Sequence, residues 1–202
     1  MPTDLGALAR SYMQTPGGVP ADAGRLLLPL ARNAIAAQLG AATAPAAAAD
    51  WLNARGASFV TLTLEGKLRG CIGTLEAHRT LGEDVTANAQ AAAFRDPRFK
   101  PLTAAEYAGI RVEVSVLSPV TAMHWRDEDD ALDQLQPGVD GVIFEYGFHR
   151  STFLPQVWEE FPDARTFMGH LKYKAGLPPD FWDPAVKLAR YTVAKWREGD
   201  DG

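Results

Sequence analysis

The chemistry open to this chain concentrates in one short segment, Leu68-Arg69-Gly70-Cys71-Ile72-Gly73-Thr74. Cys71 is the only cysteine among 202 residues, and its thiol is the strongest nucleophile type the sequence offers. In a regular strand Leu68, Gly70 and Ile72 face one way, while Arg69, Cys71 and Gly73 face the other. Arg69 and Cys71 would then share a face about 7 Å apart, twice the strand rise per residue. A cation at that range favours the thiolate, which is the reactive form. The flanking glycines leave the backbone uncovered, so a ligand could approach closely. Two effects oppose this reading. A bulge at Gly70 would break the alternation and turn Arg69 away from the sulfur, and free cysteine often packs as a small buried hydrophobe.

Glu113 is the second candidate, as an acid or base beside the thiol if its face of a strand lines a cleft. The alternative is an ion pair across the sheet with an arginine such as Arg69 or Arg111. Ser115 shares that polar face with Glu113. His78, His124, His149 and His170 are scattered, and no two stand at the i, i+4 spacing of a zinc site on a helix. Of these, His149 flanks a hairpin turn and could reach a cleft. The acidic stretch Asp127–Asp130 with Asp133 reads as a solvated short helix, because the order of a calcium loop is absent. No metal ligand set is assigned, and the cofactor is unknown. Neither a Gly-x-Ser-x-Gly elbow, a P-loop, nor a Gly-x-Gly-x-x-Gly after a strand occurs.

The elements that must position these residues follow from periodicity. Leu28, Ala31, Ile35 and Leu39 recur at helical spacing and Gly40 stands as a C-cap; Pro29 must fall in the first turn or kink the helix. Residues 41–54 read as a connector, with a short helix ending at Gly56. Ser58–Leu64 and Lys67–Thr74 form a hairpin across Glu65-Gly66. Thr80 and Glu83 have capping-box spacing, which starts a helix running to about Ala93, and Asp96-Pro97 turns the chain. Ile110–Ser118 alternates as a half-buried strand. Asp140–Tyr146 and His149–Leu154 form a second hairpin, Pro155 opens a short helix, and Asp163 caps another that ends at Gly176. Tyr191–Trp196 is a last strand. Hairpins with helices inserted between them predict an α+β fold with a mainly antiparallel sheet.

Composition bounds the function class. Hydrophobic residues make up 47% and charged residues 22%, as in ordinary globular chains. With a net charge of −5 and no basic block, the footprint of a nucleic-acid binder is missing. One cysteine permits no internal disulfide or thiolate metal cluster and fits a reducing compartment. No signal peptide or membrane-spanning stretch is read, so a cytoplasmic location is expected. Residues 1–22 read as a loosely ordered arm and 23–200 as one domain.

The segment Leu68–Thr74 resembles the Arg-Gly-Cys-Ile-Gly-Thr strand of the AMMECR-type family, also described as AmmeMemoRadiSam system protein A. Other segments are similar in the same order: Ala91–Phe99, Glu113–Pro119, Gly138–Gly141, Phe153–Val157 and Lys174–Pro178. The resemblance covers about residues 24–196. It implies an α+β protein of two unequal lobes forming a cleft lined by the cysteine strand. It also implies a pathway shared with Memo-like and radical-SAM proteins. Carried onto this chain, the candidate catalytic residues are Cys71, Arg69 and Glu113. The candidate ligand-binding residues are Gly70, Gly73, Thr74, Ser115, His149, Gln156 and Lys174. Two functions stand open: an enzyme-like site with a reactive thiol, or a non-catalytic binding or adaptor module for a small molecule, peptide or pathway partner.

Overall fold

The computed structural model describes residues 18–44 and 48–199. Residues 1–17 of the expected arm, and 45–47 of the expected connector, lie outside the described residues. The chain divides into two compact units, residues 1–117 with 194–202, and residues 118–193.

The first unit opens with helix α1, Gly24–Gln38, whose Leu27, Ala31 and Ile35 are buried. Pro29 lies beyond the first turn, later than expected, and the helix continues through it. Gly40 has φ +71°, the left-handed conformation that commonly ends a helix. Instead of a short helix reaching Gly56, a 3-10 turn at Asp50–Asn53 leads to strand β1, Arg55–Gly56. Strands β2, Ser58–Leu64, and β3, Lys67–Gly73, form the expected hairpin. Glu65 and Gly66 both have positive φ, +52° and +75°, the turn that matches the right-handed twist of its strands. After β4, Arg79–Thr80, helix α2 covers Leu81–Phe94 and starts from the Thr80–Glu83 capping box. A second capping box, Thr103 with Glu106, opens the short helix α3, Ala104–Tyr107. Strand β5 is Ile110–Leu117.

The second unit contains β6, Thr121–Ala122; α4, Glu128–Asp133; and the hairpin of β7, Gly141–Tyr146, with β8, His149–Phe153. A 3-10 turn at Pro155–Glu159 precedes α5, Ala164–Lys174, which Asp163 caps. The expected last strand is two strands. Strand β9, Lys187–Tyr191, joins the second unit's sheet, while β10, Val193–Arg197, joins the first unit's. Their sheets run in the order β6-β9-β7-β8 and β10-β5-β2-β3. Every pairing in register is antiparallel, as the α+β reading expects.

In the first unit α1 and α2 cover one face of the sheet. Val60, Leu62, Val112, Val114 and Val116 meet Leu27, Ile35, Val85 and Ala89 there. Burial of each such side chain contributes roughly 1.5–3 kcal/mol, offset by the entropy of ordering it. Val19 and Ala23 also join this core, so the packed domain begins ahead of α1. The second unit has its own core, in which the Trp158 and Phe167 rings stack at 3.8 Å beside Phe144, Met168 and Leu171. With its apolar side chains spent on the helices, the first sheet turns Thr61, Cys71, Glu113 and Ser115 to the opposite face.

Candidate functional site: a cysteine on the polar face of the first sheet

Strand register sets the site. Thr61 of β2 lies between Cys71 of β3 and Glu113 of β5, so the three form one row across the sheet. Phe59 lies between Gly73 and Ser115 in the next row. Backbone bonds from Glu198 to Val112 and from Ser118 to Thr192 run β10 antiparallel to β5. That places Arg197 beside Glu113, where the guanidinium and carboxylate approach to 2.9 Å, and places Lys195 beside Ser115. Glu113 is therefore ion-paired, as one reading of the sequence allowed, but with Arg197 rather than Arg69 or Arg111.

The Cys71 side chain is partly exposed, and its Sγ accepts a hydrogen bond from the Thr61 hydroxyl at 3.3 Å. Because β3 is an edge strand, the main-chain groups of Cys71 that point away from β2 need partners elsewhere. Its N–H donates to Asp96 Oδ2 at 2.9 Å, and its carbonyl accepts from Arg98 Nη2 at 3.2 Å. Asp96 accepts from Arg98 three times, from Nε at 2.9 Å, Nη2 at 2.7 Å and the backbone N–H at 3.1 Å. The Arg98 guanidinium holds the buried Asp96 carboxyl far below the usual carboxylate range, and the Cys71 and Arg98 amides add to the effect against the cost of burial. Arg98 is pushed up in turn by the same carboxylate.

Arg69 does not take the place its spacing predicts. The register shifts between Leu62 and Thr63: Leu62 pairs with Gly70 and Thr63 with Leu68, leaving Arg69 as the extra residue of a bulge. Its guanidinium instead clasps Glu106 of α3, at 2.9 and 3.1 Å. That pair, with the Thr103 N–H and hydroxyl, draws the Glu106 carboxyl down to about 2. Arg69 therefore anchors α3 to the edge strand, and the thiol gains no hydrogen bond or ion pair from it.

The motif's glycines and threonine hold the strand in place. A Cβ on Gly70 would sit 2.1 Å from the Ala92 carbonyl oxygen of α2, and one on Gly73 would sit 2.2 Å from the Phe59 ring. The Thr74 hydroxyl reaches the buried Asp84 carboxylate at 2.7 Å. Asp84 also accepts from the Ser58 N–H and hydroxyl, Arg79 Nε and Asn88 Nδ2. This web ties β2, the end of β3 and α2 into one piece. Gly70, Gly73 and Thr74, expected as ligand contacts, are thus held in packing or in this web, whereas Ser115 is largely buried on the polar face.

The remaining candidates belong to the second unit. His149 Nδ1 donates to the Ala175 carbonyl at 2.8 Å and so closes the end of α5. Lys174 donates to the Thr152 carbonyl at 2.9 Å and lies over the Phe153 ring. Gln156 is exposed on its 3-10 turn. Two depressions, of about 820 Å³ in the first unit and 630 Å³ in the second, are lined by none of the expected site residues. Among the described residues no group of three or more His, Cys, Asp or Glu could hold a metal ion. Nor is any helix among them long and apolar enough to cross a membrane.

Sequence reasoning missed Thr61, Asp84, Asp96, Arg98 and Arg197. For Asp96 and Arg98 a signal existed: an acid and a base two residues apart around Pro97 suit a rigid fork. The others are defined by pairing between distant segments, which spacing along the chain does not reveal.

Comparison with known proteins agrees with this layout. The AMMECR1 family model matches residues 28–196. A protein of Methanothermobacter thermautotrophicus is 39% identical over 182 residues, covering 88% of this chain and 95% of its own length. A protein of Methanocaldococcus jannaschii is 42% identical over 134 residues, 65% of this chain and 67% of its own. The crystal structure of an uncharacterised protein from Pyrococcus horikoshii superposes with a TM-score of 0.75 at 34% identity, over 88% of this chain and 92% of that one.

Proposed function

Because the chain belongs to the AMMECR1 family, we propose that the polar face around Cys71 is an enzyme-like binding site whose reacting atom is the Cys71 sulfur. The observation that carries this reading is the Thr61 hydroxyl aimed at a partly exposed Sγ from 3.3 Å, with Glu113 next in the same row. In this scheme the sulfur bonds to an electrophilic carbon of the ligand, and the displaced electron pair moves onto the ligand. The thiol proton leaves to solvent as the sulfur ionises, the Thr61 hydroxyl steadies the thiolate by donating to Sγ, and Glu113, which Arg197 holds in position, stands next in the row. Arg69 has no part in the step.

Alkylation of the intact protein by iodoacetamide, followed by mass spectrometry across pH, tests the proposal. The expected result is a single adduct at Cys71 in the folded state, formed at least as fast as on a free cysteine. A sulfur that labels only after denaturation would sink it.

A second reading is favoured by the packing of the motif itself. Gly70, Gly73 and Thr74 each answer to a neighbour inside the protein, which suits a module that binds a partner without chemistry. The pathway suggested by the resemblance supplies candidates, a Memo-like and a radical-SAM protein. Under this reading Cys71→Ser retains partner capture in a pull-down; under the enzyme-like reading the same variant loses turnover or adduct formation.

A further inference from the structure

We infer that the groove along α5, in the second unit, binds an arginine side chain carried by a basic segment of a partner protein, with Asp180 and Tyr173 as its contacts. None of the residues around Cys71 takes part. Asp163, Thr166, Gly169, His170 and Tyr173 recur in steps of three and four from the N-cap of α5, so they share one face about 15 Å long. Phe167, Met168 and Leu171 turn to the core, whereas Thr166, His170 and Tyr173 are exposed. At Gly169 the following loop comes against the helix: a Cβ there would lie 3.4 Å from the Pro179 Cβ. Pro179 and Asp180 form the opposite wall of the 630 Å³ depression, whose inner surface is mainly apolar.

Charge complementarity selects the occupant. Of the charged groups in the groove, Glu128 is already engaged, by Lys172 at 2.8 Å and by Arg165 at 3.8 Å. Arg165 is held by Asp129 as well. Asp163 accepts the N–H and hydroxyl of Thr166, which hold its carboxyl below the usual range. Asp180 is exposed and makes no ion pair with any described residue. The charge left open is therefore negative, in the same groove as a Tyr173 ring that is 71% exposed. A carboxylate and an open aromatic face in one groove suit a guanidinium, which stacks on the ring and donates a fork of N–H groups. The methylene stem of arginine matches the apolar walls. A face of this length spans about four residues of extended chain, more than a free amino acid fills, which points to a peptide segment.

The test titrates the peptide Ala-Arg-Ala-Arg-Ala, and its neutral citrulline counterpart of the same shape, into the full chain while the amide resonances are followed. Shifts should centre on Gly169, His170 and Tyr173. The arginine peptide should bind about fivefold more tightly than the citrulline peptide, as expected for an exposed charge pair with a ring contact. Asp180→Asn and Tyr173→Ala, both at exposed positions, should each weaken it by about threefold. Asp50→Asn, the same charge change in the first unit, should leave it unchanged. Equal affinities for the two peptides, or shifts scattered away from α5, would overturn the inference. So would a loss in Asp50→Asn as large as in Asp180→Asn, which would mean attraction to the surface at large. N-acetylarginine amide binding as tightly as the pentapeptide would remove the partner segment.

Discussion

The Asp96 carboxylate accepts the backbone N–H of Cys71 at 2.9 Å, so the position of the thiol depends on an acid 25 residues downstream. The same carboxylate is tied to Arg98, which covers the Cys71 carbonyl. Removing it leaves the half-exposed Arg98 guanidinium to water and the Cys71 amide unpaired. Asp96→Ala should therefore destabilise the protein by about 3 kcal/mol, read as a lower urea midpoint at unchanged slope. A loss under about 1 kcal/mol would mean water replaces the carboxylate without cost.

Acid should loosen the same corner. Asp96 and Glu106 both titrate below their ordinary range in the folded chain, Asp96 because of Arg98 and Glu106 because of Arg69. A carboxyl lowered by folding contributes stability in full above its unfolded value, and this is lost as pH falls toward the folded one. Stability should accordingly decline from about pH 4.5, the ordinary glutamate value, toward about 2, where Glu106 titrates. In Glu106→Gln the slope over that window should be shallower. Equal slopes in the two proteins would remove Glu106 from the account.

The two motif glycines should respond unequally. An alanine at Gly70 meets a main-chain oxygen of α2, which cannot rotate away; an alanine at Gly73 meets the Phe59 ring, which can shift. Gly70→Ala should cost about 3 kcal/mol or more and Gly73→Ala about half as much, by thermal or urea unfolding. The reverse order would show that β3 and α2 separate more readily than the ring moves.

Thr61→Val keeps the shape of the side chain and deletes the hydroxyl that bonds to Sγ. If the hydroxyl positions the sulfur for reaction, iodoacetamide labelling should slow by about threefold or more while the unfolding midpoint moves little. A rate unchanged within error would leave Thr61 a bystander.

Much of the fold was legible because its signals are local. The Glu65-Gly66 turn, the Thr80–Glu83 box and the alternation of Ile110–Leu117 each sit within a few residues, and each stands where expected. A bulge enters the sequence reading only as a hazard, and at Gly70; the register shift between Leu62 and Thr63 makes Arg69 the extra residue, which no residue type in the motif announces. The second capping box, Thr103 with Glu106, repeats a pattern recognised elsewhere in the chain yet passed unnoticed. The acidic residue it contains proved to be the partner of Arg69. Glu113 illustrates the limit from the other side: its chemistry could be read, but its partner Arg197 comes from the far end of the chain through a strand that splits at Thr192.

At Cys71 the free margin of the first sheet is closed by an acid and a base, where many proteins leave an amide and a carbonyl facing water. A strand from a second molecule seeking to extend the sheet there would have to displace both charges first. Protonating Asp96 would release that guard and the main chain beneath the sulfur together, so clumping in strong acid should begin at the same margin that carries the thiol.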